Sequence, residues 1–285
     1  MLLLACVLVL LCSCNTAAAS FKVYPTILDV ARNPGGAALG TVNVALHGEP
    51  GQRFRVLIQD VSQRADGTPV FSAPSRAPHS ASTWVLATPT TFAGAPDRVQ
   101  PLQYRVSVPA NAEPGDHLAA LTVERLGRGG ATTAAATEAV AVRLTVRVRG
   151  PLRPEARIVG FDVPGIVGGA PLTVSTTVRN TGNATLDFDR ADPAALTIRD
   201  GSDRRARLPF SGQLFPGQTR EFVSRWEDPP LFGHFSAEAR VAAGAGSAHE
   251  EASFWVIPWR QVGALALVLA AAVLLYLGWR RRRYG

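Results

Sequence analysis

Five histidines, His47, His79, His117, His234 and His249, are the side chains best suited to hold a metal or move a proton at neutral pH. None has a second histidine or a cysteine at ligand spacing. The three cysteines, Cys6, Cys12 and Cys14, sit together at the N-terminus. A cysteine-ligated zinc site, a disulfide framework and a thiol nucleophile in the body of the chain are therefore excluded. Asp116-His117 offers the acid–imidazole pair of a triad, but no Gly-x-Ser-x-Gly, HExxH or phosphate-loop pattern supplies a nucleophile or metal beside it. The plainer reading is a Pro114-Gly115 turn entering a strand from Leu118 to Arg125. Glu227-Asp228 and Glu250-Glu251 are acidic pairs expected in loops. A glycosidase needs two carboxylates across a cleft, which sandwiches without large insertions seldom build. No Asp-x-Asp-Gly calcium loop is present. The expectation is a protein without catalytic residues, metal or cofactor.

Three arginines are a sharper feature. Arg143, Arg147 and Arg149 alternate with Val142, Leu144, Val146 and Val148, so they share the face of a strand opposite its core. They fit charge-assisted contacts to an anionic wall polymer; equally, they fit a solvated strand face, where single ions contribute little.

The same period of two recurs through residues 20–258. Phe54, Val56 and Ile58 alternate with Arg53, Arg55 and Gln59, and Tyr104, Val106 and Val108 with Arg105 and Ser107. Leu172, Val174, Thr176 and Val178 follow the pattern, as do Phe235, Ala237, Ala239 and Val241. One apolar and one wet face predict antiparallel sheets packed as a sandwich. Asp66-Gly67 and Asp200-Gly201 suit tight hairpins, both positions of each pair tolerating positive φ. Asn180-Thr181-Gly182-Asn183 and Pro216-Gly217 mark further turns. Gly150-Pro151-Leu152-Arg153-Pro154 is a short stiff linker. The predicted fold is all-β: two tandem immunoglobulin-like β-sandwiches, residues 20–149 and 155–257, joined by 150–154. Arg64–Ser82 and Gly127–Thr137 are expected to be mobile loops, while Trp84 and Trp226 are expected to plug the two cores.

Apolar segments bracket the sandwiches. Leu2–Leu11 is too short to span a bilayer and precedes Ala17-Ala18-Ala19, the pattern of a signal peptide at 1–19 cleaved before Ser20. Lipidation at Cys14 is the alternative. Val262–Trp279 carries no charge over 18 residues, about 27 Å of helix. Trp259 and Trp279 sit where an aromatic belt forms, and Arg280, Arg281, Arg282 and Arg283 act as stop-transfer. These features predict a transmembrane helix at 260–279 with a cytoplasmic tail, Arg280–Gly285. The topology is single-pass type I in the cell membrane, with the ectodomain at the cell surface.

The formal charge of +7 belongs mostly to that end. Arg260 and Arg280–Arg283 face no acids after residue 259, and without them 24 bases oppose 22 acids, a net +2. A basic tail is not a basic domain, so nucleic acid is excluded as a partner.

The order of these parts, with Phe21-Lys22-Val23-Tyr24-Pro25, Ser82-Thr83-Trp84-Val85, Tyr104-Arg105-Val106-Ser107-Val108-Pro109, Glu113-Pro114-Gly115-Asp116-His117, Val178-Arg179-Asn180-Thr181-Gly182-Asn183 and Leu214-Phe215-Pro216-Gly217-Gln218-Thr219-Arg220, resembles the WxL-interacting proteins of Gram-positive bacteria. The resemblance implies a peptidoglycan-binding first domain and a second domain that binds host or partner proteins. Val-Pro followed by Pro-Gly also recurs in periplasmic pilus chaperones of the same sandwich fold. The expected function is a non-enzymatic, membrane-anchored surface protein that holds cell-wall polymer or an exported surface protein. Its rivals are a secretion or assembly chaperone that docks client strands on its sheet edge, and a cell-wall hydrolase.

Overall fold

The computed structural model describes residues 21–47, 50–127, 136–169, 171–190 and 194–284. The leader at 1–19, Cys14 and most of the loop at 127–137 lie outside them. Among the described residues the first domain holds β1 (Phe21–Tyr24), β2 (Ile27–Arg32), β3 (Ala37–Leu46), β4 (Arg53–Gln63), β5 (Pro69–Ser72), β6 (Val85–Thr88), β7 (Thr91–Ala93), β8 (Val99–Ser107), β9 (Gly115–Leu126) and β10 (Ala136–Val148). The second holds β11 (Ala156–Asp162), β12 (Ile166–Val167), β13 (Leu172–Asn180), β14 (Leu186–Asp187), β15 (Ala194–Asp200), β16 (Asp203–Pro209), β17 (Gln213–Leu214), β18 (Thr219–Trp226), β19 (Gly233–Ala243) and β20 (Gly246–Val256), after which comes helix α1 (Trp259–Tyr284).

Each domain is a two-sheet immunoglobulin-like sandwich. In the first, β1–β3–β8–β6 packs on β2–β10–β9–β4–β5, with β7 also on β4. In the second, β11–β13–β18 packs on β12–β20–β19–β15–β16. Period-2 alternation decides which side chains meet between the sheets: Val142, Leu144, Val146 and Val148 are buried, as are Leu172, Val174 and Val178, and Phe235, Ala237, Ala239 and Val241. Phe54 anchors the first core, edge-on to Phe21 at 5.2 Å and stacked on Phe92 at 5.0 Å. Trp226 plugs the second against Phe235. Trp84 is only half-buried; it packs on the first core and lays its ring 4.5 Å from that of His117.

The chain changes sheets at Pro25, which has no N–H to give a ladder. Before it, β1 runs antiparallel to β3; after it, β2 runs parallel to β10, pairing Ile27 with Arg143 through Arg32 with Val148. Three expectations need correction. Only the glycine of each hairpin pair takes positive φ, Gly67 at 85° and Gly201 at 58°. Residues 64–82 are not a bare loop: β5 and a short 3-10 turn at Ser82–Trp84 interrupt them. Glu250 and Glu251 lie within β20, not in a loop.

Strand β9 departs from alternation. Nine successive residues, Gly115–Val123, are buried, so both of its faces are covered. The inner face belongs to the first core; the outer face contributes Leu118 and Ala120 to a small cluster with Val61 and Phe215 of the second domain. Helix α1 contains Val262–Arg280, 19 residues long and apolar enough to cross a membrane, none of it buried against the protein.

Candidate functional site

The two sandwiches meet over the outer face of β9 and β10. Asp116, with a side chain 0% exposed, accepts both prongs of the Arg147 guanidinium, Nε to Oδ1 at 2.7 Å and Nη2 to Oδ2 at 3.0 Å. The Thr185 backbone N–H from the second domain donates to the same Oδ2 at 2.8 Å. Burial pushes the Asp116 carboxyl up, but the Arg147 and Thr185 hydrogen bonds outweigh it and hold the group below its ordinary value. Arg143 donates Nη1 to Gln213 Oε1 at 2.6 Å and lies over the Phe215 ring. Gln63 of β4 completes the seam: its Nε2 donates to the Gln213 carbonyl at 3.0 Å, and its Oε1 accepts the Phe215 N–H at 3.0 Å.

Asn183 ties this seam to the linker. Its Nδ2 donates to the carbonyls of Pro114 and Pro151, its Oδ1 accepts the Arg153 N–H, and its own carbonyl accepts the Asp116 N–H. Gly115 sits at φ 135° against it, and a Cβ there would lie 2.4 Å from the Asn183 carbonyl oxygen. The sequence marked Asn180–Asn183 as a turn but gave no sign that its last residue bridges both domains.

Arg143 and Arg147 are therefore not free cations on a solvated face: the second domain covers part of that face, Arg143 is half-buried, and both guanidiniums are engaged within a cleft of about 360 Å³. Asp29 and Thr145 of the first domain and Asp187 and Arg190 of the second also line it. Arg149, just past the end of β10, is exposed, and its N–H is bonded to the Arg32 carbonyl. The continuous apolar run Leu118-Ala119-Ala120-Leu121 was the legible sign that this sheet is covered on both faces.

Asp116 and His117 do not act together. Neighbours on a strand point to opposite faces; Asp116 turns to Arg147, while His117 Nε2 meets the Glu113 carbonyl at 3.0 Å. His117 lines a separate hollow with His79 and Trp84. Burial, and then the neighbouring His117, push the His79 imidazole below its ordinary value. Among the described residues no group of three His, Cys, Asp or Glu side chains is placed to hold a metal.

Among the described residues, part of the β10 edge has no partner strand. β2 covers β10 only from Arg143 onward, with the Arg143 N–H bonded to the Thr26 carbonyl and the Arg149 N–H to that of Arg32. Odd-numbered residues thus aim their main-chain groups toward β2, and the strand repeat aims those of Ala139 and Ala141 the same way, up to the bulge at Thr137. Among the described residues no strand pairs with them there. On its other side β10 is laddered to β9 without a break from Glu138 onward, Val140 opposite Val123 and Val142 opposite Leu121, with a bulge at Thr137 before it.

At the C-terminal end, Trp279 and Trp259 lie near the two ends of the apolar window of α1, and the Arg283 guanidinium stacks over the Trp279 ring at 4.4 Å. Arg280 lies at the end of the apolar window, followed in the last turns of α1 by Arg281, Arg282 and Arg283.

No family model matches the chain, and no curated protein is similar to it. Among solved structures it is similar to fimbrial chaperones. The class 5 fimbriae chaperone CfaA aligns at 10% identity and a TM-score of 0.41, over 82% of this chain and 98% of that one. The CsuC–CsuE chaperone–tip adhesion subunit pre-assembly complex of Acinetobacter baumannii gives 12% and 0.42 over 84% and 99%. The CupB2 chaperone of Pseudomonas aeruginosa gives 12% and 0.37 over 82% and 99%. These are remote likenesses. The resemblance to WxL-interacting proteins is corrected by them: the similar structures are fimbrial chaperones, and no model of the expected family matches.

Proposed function

We propose that the chain is a non-enzymatic docking protein, anchored in a membrane by α1, that holds an exported partner by adding one of the partner's strands to the open edge of β10. The observation that carries this reading is the main chain of Ala139 and Ala141, which no strand among the described residues pairs, in line with β2 and backed by an unbroken ladder to β9 from Glu138 onward. An exposed sheet edge is a template for another strand, and strand addition draws its affinity from main-chain hydrogen bonds. The seam between the domains keeps this edge rigid, because Asp116, Gln63 and Asn183 fix β9, β4 and the linker to the second domain. Wall-polymer binding through arginines has less support, since two of the three are already spent on Asp116 and Gln213.

Ala139→Pro tests the proposal in the full-length chain. Proline removes the Ala139 N–H, which points to the open edge, and thrusts its ring there, which an unpaired edge tolerates. The variant should fold, while the exported protein that co-purifies with the natural chain is lost. Val140→Pro, on the side laddered to β9, should unfold the first domain. Undiminished co-purification with the folded Ala139→Pro chain would overturn the proposal, as would the absence of any stoichiometric exported partner on the natural chain.

A further inference from the structure

The second domain carries an apolar patch that no core absorbs. Ile166, Leu231, Phe232 and Trp255 are all exposed, Leu231 and Phe232 at 70% and 65%. They converge at one end of the sheet: β19 starts right after Phe232, β20 ends right after Trp255, and β12, with Ile166, pairs alongside them. The Phe232 ring lies 6.2 Å from the Trp255 ring, and the His234 ring 4.7 Å from it. This is the end from which the apolar helix leaves. The exit is short and pinned: the Trp255 N–H donates to the Gly165 carbonyl and the Ile257 N–H to the Val167 carbonyl. Trp259, the first helical residue, rests against Gly168.

We infer that this patch seats the second domain in the lipid headgroup layer of the membrane that α1 crosses. The inference rests on the reading of α1 as a membrane span. Its window begins at Val262, which places Trp259 about 4.5 Å further out at 1.5 Å per residue. Four residues of even fully extended chain reach at most about 14 Å, so Trp255 is tethered within about 19 Å of the hydrocarbon edge, close enough for its patch to reach the headgroup layer. Aromatic rings with a polar edge favour that layer, and burying exposed Leu, Phe and Ile there is favourable by the ordinary apolar term. The patch residues carry no charge, so attraction to anionic lipid is not part of the effect. The result is a domain held against the membrane instead of swinging on a tether.

The test uses the full-length chain in bilayers, with Trp259→Phe and Trp279→Phe removing the helix tryptophans. Trp84 and Trp226 are unchanged, and the emission lost on adding Trp255→Phe is that of Trp255. In phosphatidylcholine with acyl chains brominated close to the headgroup, the Trp255 emission should fall by more than half. Adding Leu231→Ser and Phe232→Ser should restore most of it, and high salt should leave it unchanged. Flotation with the vesicles reports anchoring separately. A chain that does not float refutes the span. One that floats with Trp255 unquenched, or equally quenched after the two serine changes, refutes docking while the span stands. Quenching that appears only with anionic lipid also refutes it, and Trp255 shielded by a bound protein instead would point to a protein partner for the patch.

Discussion

Asp116→Ala is the change that bears hardest on the joint between the domains. It removes the acceptor of three charge-assisted hydrogen bonds, two from Arg147 and one from the Thr185 N–H. Truncating one member of a buried pair costs about 3–5 kcal/mol. Arg147 is 49% exposed, so once released it recovers hydration, and the lower end, about 3 kcal/mol, applies. At about 2–4 °C per kcal/mol for a chain of this size, the unfolding midpoint should fall by about 6–12 °C. The effect should also depend on pH. The Asp116 carboxyl lies below its ordinary value of 3.8 in the folded chain, so its contribution is fully present above 3.8 and is lost as the pH falls through the lower folded value. Calorimetry of the full-length chain in bilayers, from neutral pH to below 3.8, measures both. The natural protein should approach the variant as the carboxyl protonates. A neutral-pH difference under about 2 °C, or a gap that stays constant on acidification, would refute the assignment of Asp116 as the clamp of this joint.

Three further outcomes follow from the same geometry. Asn183→Ala loses three neutral hydrogen bonds to Pro114, Pro151 and Arg153, about 2–3 kcal/mol in all, and limited proteolysis should find the 150–154 segment newly accessible. His79, lowered by burial and then by His117 against the opposing charges of Glu113 and Asp116, withholds its full contribution only when protonated: stability is present above 6.5 and falls as the pH drops through the folded value. His79→Asn, which tolerates the positive φ of 63°, should flatten that part of the pH profile in chemical denaturation. Protease added outside intact cells stripped of wall should digest residues 20–258 and spare a tag after Gly285, because four arginines follow the apolar span; a protected ectodomain would contradict the orientation.

The sandwiches were legible because burial on one face writes itself as alternation: Val142 to Val148 and Phe235 to Val241 declare their inner faces directly. The site was not legible by the same signal. Alternation assigns Arg143 and Arg147 to the face away from their own core, and nothing local says that Gln213, Phe215 and Thr185, some 40–70 residues away in the chain, cover that face. Strand pairing is likewise a long-range choice. That β2 covers β10 only from Arg143 follows from where Pro25 releases the chain between sheets, and no pattern inside β10 records it. Asn183 was read as a turn residue because its turn neighbours are local and its three bridging partners are not.

Amide hydrogen exchange on the complex purified from producing cells tests the central claim most directly. Strand addition predicts that the N–H groups of Ala139 and Ala141 exchange quickly in the free full-length chain and become protected when the exported partner is bound. Those of Arg143 to Arg149, already facing β2, should change little. A bound partner that leaves Ala139 and Ala141 unprotected would contradict the account.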